Sequence, residues 1–423
     1  MPELSPPESA ALHQRSLLDP TTTFPLTPPL LGGDPVHSTA EVQYPLDIGY
    51  DVARITAADL THPPLPGLHR WQRTLPPLSP RVDLAVGGTP LVRMDALARF
   101  AGSPGEVWVK DESRNPTWSH KDRLNAVAVS AAVAVDAPGV VVASSGNHGA
   151  SAAAHAARAG LPCIVVTSRD LPAGMASLMG AYGALVLQTD VDDRWPLLRQ
   201  IVERYGFHSV SSTTPVPTGH PYGPEGYKTI AYELLQQLGE APDAVFVPTG
   251  YGELLFGVAK GFQELAAVGL CAVPRMYACE PGALAPLAAA MEAGADWGRV
   301  APAPSDAWSI ACTVTGLRAI HPIRATGGAA LRIAESDLAA AARALAHSGL
   351  WPELSAAAGV AGLRGLVGSG EPAPRRAVCI MTSNGIKMPL GSTTPPAEFA
   401  GDWGLVESYL GSGVPRVAEP SRP

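Results

Sequence analysis

The sequence predicts an α/β protein built on parallel sheets, and three observations carry that reading. Short β-rich apolar runs recur along the chain, helical stretches separate most of them, and the runs are continuously apolar rather than alternating. Strands that alternate with helices call for a parallel sheet with helices on both faces. A continuous apolar run is what a strand covered on both faces needs. The runs are VWVK at 107–110, VVVAS at 140–144, CIVVTS at 163–168, ALVLQTD at 184–190, AVFVPT at 244–249, RMYACE at 275–280 and AVCIMTS at 377–383. Helical stretches include Ser151–Ala159, Trp195–Tyr205, Thr229–Leu238 and Leu338–His347. The globular pattern starts near Val82. Residues 1–40, rich in Pro, Ser and Thr, read as a mobile arm without strand or helix periodicity, and a mixed segment runs from Tyr44 to about Arg81. The tail from PPAEF onward is expected to drape over the surface.

A length of 423 residues suits two or three domains. Apolar residues make up 46% of the chain, enough for a sizeable core, and charged residues only 16%. The net charge of −8 argues against a nucleic-acid or anionic-membrane partner. No apolar stretch approaches the ~20 residues of a membrane span, and MPELSPPESA lacks the basic and apolar regions of a secretory signal. A cytoplasmic location follows as the expectation. Cys163, Cys271, Cys279, Cys312 and Cys379 form no CxxC pair, so free thiols and no metal site are expected. The lysines are Lys110, Lys121, Lys228, Lys260 and Lys387, a short list for any chemistry that needs one.

Ligands in parallel sheets bind at the carboxyl ends of the strands, and four such places carry unusual sequence. SSGNHGAS at 144–151 opens an Ala-rich helix, and GYGELLFG at 250–257 opens another. Each would present free N–H groups at the positive end of a helix, an anion site. The second has no GKS/T, so it is no P-loop, and it does not read GxGxxG. Thr382, Ser383 and Asn384 put two hydroxyls and an amide at a strand end. Lys121 precedes the small-residue helix LNAVAVSAAVAV, where burial and the helix dipole favour a neutral amine, as a Schiff-base lysine requires. Each feature alone also fits a plain turn, a cap, or a lysine paired with Asp122. Together they are the parts that hold pyridoxal 5'-phosphate: a lysine for the imine, one turn for the cofactor phosphate, one for an amino acid carboxylate, and a hydroxyl for the pyridine nitrogen.

At this point the sequence resembles the fold-type-II pyridoxal-phosphate enzymes, and within them the threonine synthases. The resemblance covers about residues 44–390 and rests on YPLDIGYDV, HRWQRTLPPL, VGGTPLVRMDAL, KDESRNPTWSHKDR, SSGNHGAS, PEGYKTIAYELLQQLG, VPTGYGELLFGVAKGF, WPELSAAAGVAGL and TSNGIK, in that order. It implies two parallel-sheet αβα domains with the cofactor in the cleft between them. Residues 82–124 plus 223–395 would form the larger domain, 125–222 a smaller mobile one, 1–81 an N-terminal extension and 396–423 a tail. It further implies that Lys121 is the imine lysine and proton shuttle, and that Asn147 bonds the cofactor's phenolic oxygen. Gly250, Tyr251, Gly252, Glu253 and Leu254 would form the phosphate cup. Thr382, with Ser383 as second candidate, would face the ring nitrogen; a neutral hydroxyl leaves the ring a weaker electron sink, suited to elimination and replacement at Cβ or Cγ. Ser144, Ser145 and His148 would line the substrate-carboxylate loop. Arg123 and Lys228 are candidates for a substrate phosphate, with ion pairing to Asp122 and Glu225 as their other reading.

The departures from the family pattern fall around the substrate. Trp118 stands where the family has glycine, and His120 where it has phenylalanine. A histidine directly before the lysine resembles the tryptophan synthase β subunit. His148 resembles serine/threonine dehydratase loops, Met175 replaces a common lysine, and the phosphate loop lacks its usual asparagines. Two activities follow: a threonine synthase that converts O-phospho-L-homoserine and water to L-threonine and phosphate, or a β-elimination or β-replacement enzyme acting on a serine, threonine or phosphoserine-like amino acid. A third class, a catalytically inactive homologue, is disfavoured by Lys121, Asn147 and Thr382 occurring together. The partner expected is a small amino acid, and the reading admits a homodimer.

Overall fold

A computed structural model describes residues 8–62, 65–144, 146–387, 403–404 and 407–408. The chain divides into two units, Met1–Met388 and Pro389–Pro423, and the second contributes only helical residues 403–404 and 407–408 to the description. The expected surface path of the tail therefore lies outside the described residues.

In chain order the strands are β1 (Ala11–Ser16), β2 (Thr23–Pro25), β3 (Leu46–Tyr50), β4 (Leu91–Arg93), β5 (Glu106–Asp111), β6 (Val140–Ala143), β7 (Cys163–Ser168), β8 (Leu185–Thr189), β9 (His208–Ser209), β10 (Ala244–Pro248), β11 (Arg275–Pro281), β12 (Gly298–Arg299), β13 (Val314–Thr315), β14 (Ala329–Ile333) and β15 (Arg376–Met381). A six-stranded sheet has the order β14-β11-β10-β15-β5-β4, parallel except for the antiparallel edge strand β4. A parallel four-stranded sheet has the order β8-β7-β6-β9. All seven apolar runs of the sequence fall on these two sheets. Neighbouring residues of a strand feed different cores: Val245 and Val247 join one cluster, Ala244 and Phe246 another. That is why the pattern along β10 is continuous rather than alternating.

The small-residue composition finds its use where helices cross. A Cβ at Gly226, in helix Gly223–Leu238, would stand 1.9 Å from the Arg123 carbonyl oxygen of helix Lys121–Ala134. Gly257 and Gly261, in helix Glu253–Ala267, meet the Pro224 and Lys228 carbonyls in the same way, at 2.4 and 2.3 Å. Backbones this close leave no room for side chains, so the three helices behind the lysine pack as one block.

The N-terminal segment departs from its expectation. Residues 11–16 and 23–25 are strands, and β1 pairs antiparallel with both β2 and β3. The strand was hidden because its inward positions are polar. Gln14 is fully buried, donates to the carbonyls of Pro25 and Pro28 at 2.8 and 3.0 Å, and accepts from Leu30 N at 2.9 Å. Asp47 of β3 ties the sheet to the body by accepting from Lys260 Nζ at 2.6 Å and Arg15 Nη2 at 2.7 Å.

All five cysteines are unpaired. Burial pushes the thiols of Cys163 and Cys312 up to about 12 and those of Cys279 and Cys379 well above their ordinary value. Among the described residues, no helix is long and apolar enough to cross a membrane.

Candidate active site

A cavity of about 210 Å³ brings together His120, Lys121, Ser144, Asn147, His148, Gly250–Leu254, Thr382 and Ser383. These residues come from both sheets and from four separate strand ends, as the strand-end argument expects. Ser145 lies outside the described residues.

Lys121 begins helix Lys121–Ala134. Desolvation pushes its amine below the ordinary lysine value, while Glu253 and Cys312 pull it partly back. Asp122, the competing partner, is engaged elsewhere. It accepts from Thr117 N and Oγ1 at 2.7 and 2.6 Å and from Ser151 Oγ at 2.6 Å. The lysine amine thus lies at the cavity without that carboxylate, 5.9 Å from the Tyr227 ring centroid. Trp118 keeps a left-handed backbone with φ +59°, a conformation that costs a non-glycine residue about 1 kcal/mol.

His120 donates from Nδ1 to the Thr382 carbonyl at 3.1 Å and stacks on Tyr227, ring centroids 5.4 Å apart. Burial and then the neighbouring Lys121 hold both His120 and His148 well below the ordinary histidine value, so both are neutral. Nε2 of His148 is buried and has no partner. Ser144 Oγ accepts from Gly146 N at 3.2 Å and Gly149 N at 3.0 Å, which shapes the turn into helix Asn147–Ala159.

Asn147 is held from two sides. Its Oδ1 accepts from Lys387 Nζ, and its Nδ2 donates to Glu353 Oε2 at 2.7 Å. Lys387 also donates to the Thr117 carbonyl at 3.0 Å, and burial lowers its amine to about 8. This clamp fixes the amide so that its second Nδ2 hydrogen, a donor, is left for a ligand. Glu353 also accepts from Ser309 Oγ at 2.5 Å and from Ser383 Oγ. A Ser383 hydroxyl that donates to Glu353 has only lone pairs to offer, whereas an unprotonated ring nitrogen needs a donor.

The phosphate-cup residues sit at the start of helix Glu253–Ala267, whose first-turn N–H groups lack intrahelical acceptors. Gly252 has φ +84°, and a Cβ there would stand 2.3 Å from the Ala319 Cβ. The loop is therefore a cradle that only glycine allows. Burial, with Cys312 adding to it, raises the Tyr251 phenol far above its ordinary value.

Two of the expected substrate residues are placed elsewhere. Arg123 is fully buried, bonded to Glu112 through Nε at 2.7 Å and to Glu233 through Nη1 at 2.7 Å. Lys228 is fully buried, 2.8 Å from Glu225 and 2.9 Å from Glu264. Neither lines the cavity. For Lys228 the ion pair with Glu225 is the reading that the geometry has; for Arg123 the partners are Glu112 and Glu233 rather than Asp122. The cations that do reach the wall beside Lys121 are Arg194 and Arg318. Neither lies in a motif with a local signal. Glu353 and Lys387 lie in motifs that the sequence displays, WPELSAAAGVAGL and TSNGIK, but their contacts to Asn147 span over 200 residues.

An imine-competent lysine, a glycine cradle at a helix N-terminus and an amide clamped to donate fit pyridoxal phosphate. The family model described as "Pyridoxal-phosphate dependent enzyme" matches residues 82–383, and the chain belongs to that family, as an enzyme of fold type II. Within it the protein is a threonine synthase-like lyase. It is 31% identical to the threonine synthase of Methanosarcina acetivorans over 81% of this chain and 86% of that one. With the threonine synthase of Synechocystis sp. it shares 33% over 76% and 84%. Among solved structures, maize serine racemase superposes with a TM-score of 0.60 at 21% identity, covering 77% of this chain and 93% of that one. The serine racemase of Dictyostelium discoideum gives 0.59 at 21%, over 70% and 92%. These two likenesses concern the fold.

Proposed function

We propose that the protein converts O-phospho-L-homoserine and water to L-threonine and phosphate. Arg194 carries this reading. A phosphorylated substrate brings a second dianion into a site that already holds the cofactor's phosphate, and a desolvated dianion calls for a charge-assisted donor. Arg194 supplies a guanidinium to the cavity wall from helix Arg194–Tyr205, a different element from the phosphate cup. Its Nε donates to the Val191 carbonyl at 3.1 Å and its guanidinium lies 4.7 Å from the Trp195 ring centroid, which orients the fork. The threonine synthase relatives support the same substrate.

Pyridoxal phosphate, when bound, supplies an electron sink for charge that develops at the substrate's carbons. The protein's residues do the rest. Lys121, with its amine depressed toward neutrality, accepts and returns protons at those carbons. Asn147 donates from Nδ2 to the cofactor's phenolic oxygen. Thr382 donates to the ring nitrogen without protonating it, with Ser383 behind it. Gly250, Tyr251, Gly252, Glu253 and Leu254 receive the phosphate. Ser144, Ser145 and His148 take the substrate carboxylate, and neutral His120 backs the lysine.

The unpartnered His148 Nε2 favours a second reading, β-elimination or β-replacement on a serine, threonine or phosphoserine-like amino acid. The neutral imidazole, with its other nitrogen bonded to the Val210 backbone, presents a lone pair that accepts a hydrogen bond from a substrate β-hydroxyl and orients it. A panel of phosphohomoserine, phosphoserine, serine, threonine and acetylserine, scored for phosphate, keto acid and amino acid products, separates the two. Phosphate and threonine from phosphohomoserine are expected. Arg194→Gln should raise that substrate's KM about 10- to 100-fold with the bound cofactor's visible absorbance unchanged. Turnover confined to non-phosphorylated substrates would give the second reading the field.

A further inference from the structure

At one end of the cavity two side chains that act electrostatically on each other, Arg318 and Glu253, each leave one buried polar atom without a hydrogen-bond partner. Arg318, from helix Leu317–Thr326, donates through Nε and Nη2 to the Thr218 carbonyl at 3.1 and 2.9 Å, and through Nη2 to the Leu46 carbonyl at 2.8 Å. Its Nη1 is buried and has no acceptor. Glu253 Oε1, at the first residue of the phosphate-cup helix, is buried and has no donor. The Thr218–Gly219 peptide brings both to one corner. Thr218 holds the guanidinium, and a Cβ at Gly219 would stand 2.3 Å from Glu253 Oε1. Both residues line the cavity together with Gly252.

A buried, unsatisfied charged group is costly, so this corner is built for an occupant. A plain dianion would satisfy Arg318 and be repelled by Glu253. A plain cation would do the reverse. What suits both is a group with anionic oxygens and one acidic proton. A phosphate monoester has this character, since its second proton leaves near pH 6. The cofactor's phosphate is the group the adjoining cup receives.

We propose that the cofactor's phosphate is bound with one proton shared between a phosphate oxygen and Glu253 Oε1, while Arg318 Nη1 donates to an unprotonated phosphate oxygen. At pH 8 the free phosphate is a dianion, so binding draws one proton from solvent into that hydrogen bond. No covalent bond changes. The other charged and titratable groups that act on the corner are Lys121, Tyr227 and Tyr251 on Glu253, and Asp47, Glu225 and His220 on Arg318. Glu253 differs from all of them in being a carboxylate of the cup itself. The proposal rests on the family's cofactor and not on the identity of the substrate.

The test is calorimetry of the full-length, cofactor-free chain titrated with pyridoxal phosphate at pH 8, in buffers of different ionisation heat. Glu253 acts on the Lys121 amine, so the comparison with Glu253→Gln is made with pyridoxine 5'-phosphate, a phosphate monoester that forms no lysine bond. Wild type should take up about one proton more than Glu253→Gln. Arg318→Met should bind pyridoxal phosphate about 10- to 100-fold more weakly. Pyridoxine 5'-phosphate, whose phosphate keeps no acidic proton at pH 8, should by itself bring about one proton into the wild-type chain; this measurement stands should a variant fail to fold. Equal uptake by wild type and Glu253→Gln, or pyridoxine 5'-phosphate bound with no proton uptake, overturns the proposal, as does unchanged affinity in Arg318→Met.

Discussion

The depressed amine of Lys121 follows from what its neighbours do not offer. Asp122 is committed to Thr117 and Ser151, so desolvation is free to depress the amine. Lys121→Ala should lose the visible absorbance of the bound cofactor and all turnover. Borohydride labelling of Lys110 or Lys228 instead would show the assignment to be wrong. Lys387 gives a second expectation at this scale. Its amine loses a proton at about 8 and it holds Asn147 by Oδ1. Raising the pH through 8 should therefore loosen the amide clamp and shift the cofactor's spectrum. In Lys387→Arg, whose charge persists, that transition should vanish; its persistence would assign it to another group. Lys121, Asn147 and the glycine cup were legible in the sequence because each lies in a local pattern. Arg194, Arg318 and the Glu353 contacts were not, because nothing local distinguishes an arginine that reaches a cavity from one on the surface.

Among elements, the seven apolar runs became strands because burial on both faces leaves a plain composition signal. β1 is invisible in the sequence because Gln14 and Ser16 replace apolar residues on its buried side. The helix block behind the lysine explains where Arg123 goes. Its place two residues after Lys121 suggests the substrate, yet two residues along a helix turn a side chain by ~200°, away from the cavity and into the crossing with helix Gly223–Leu238. There two cations, Arg123 and Lys110, meet two carboxylates, Glu112 and Glu233, all fully buried. Removing one member strands the others. Arg123→Met should cost about 3–5 kcal/mol of stability, read as a lower urea midpoint, while the folded enzyme keeps its KM for the substrate. A stable variant with a raised KM would return Arg123 to the substrate list.

For the whole molecule, buried neutral histidines set the response to acid. Burial depresses six of them, His120, His148, His155, His208, His220 and His321, with His208 at about 4. Below pH 6.5 the unfolded chain binds protons that the folded chain refuses, so stability falls as the pH drops toward 4. Glu280, raised to about 7 by burial, works the other way with a single proton between 4.5 and 7. Thermal melts at pH 7, 6 and 5 should therefore show a falling Tm, with a shallower slope in His208→Gln; a flat profile would contradict the histidine account. The buried thiols have a further use as an internal gauge. A thiolate is the reactive form, and Cys163 sits in β7 of the four-stranded sheet whereas Cys279 and Cys379 sit in β11 and β15 of the six-stranded one. In mild denaturant, the order in which an alkylating reagent tags these three, read by mass spectrometry of peptides, reports which sheet opens first. Cys163 should be tagged first, since β8 beside it has no buried residue. A single shared rate would mean that both sheets come apart as one.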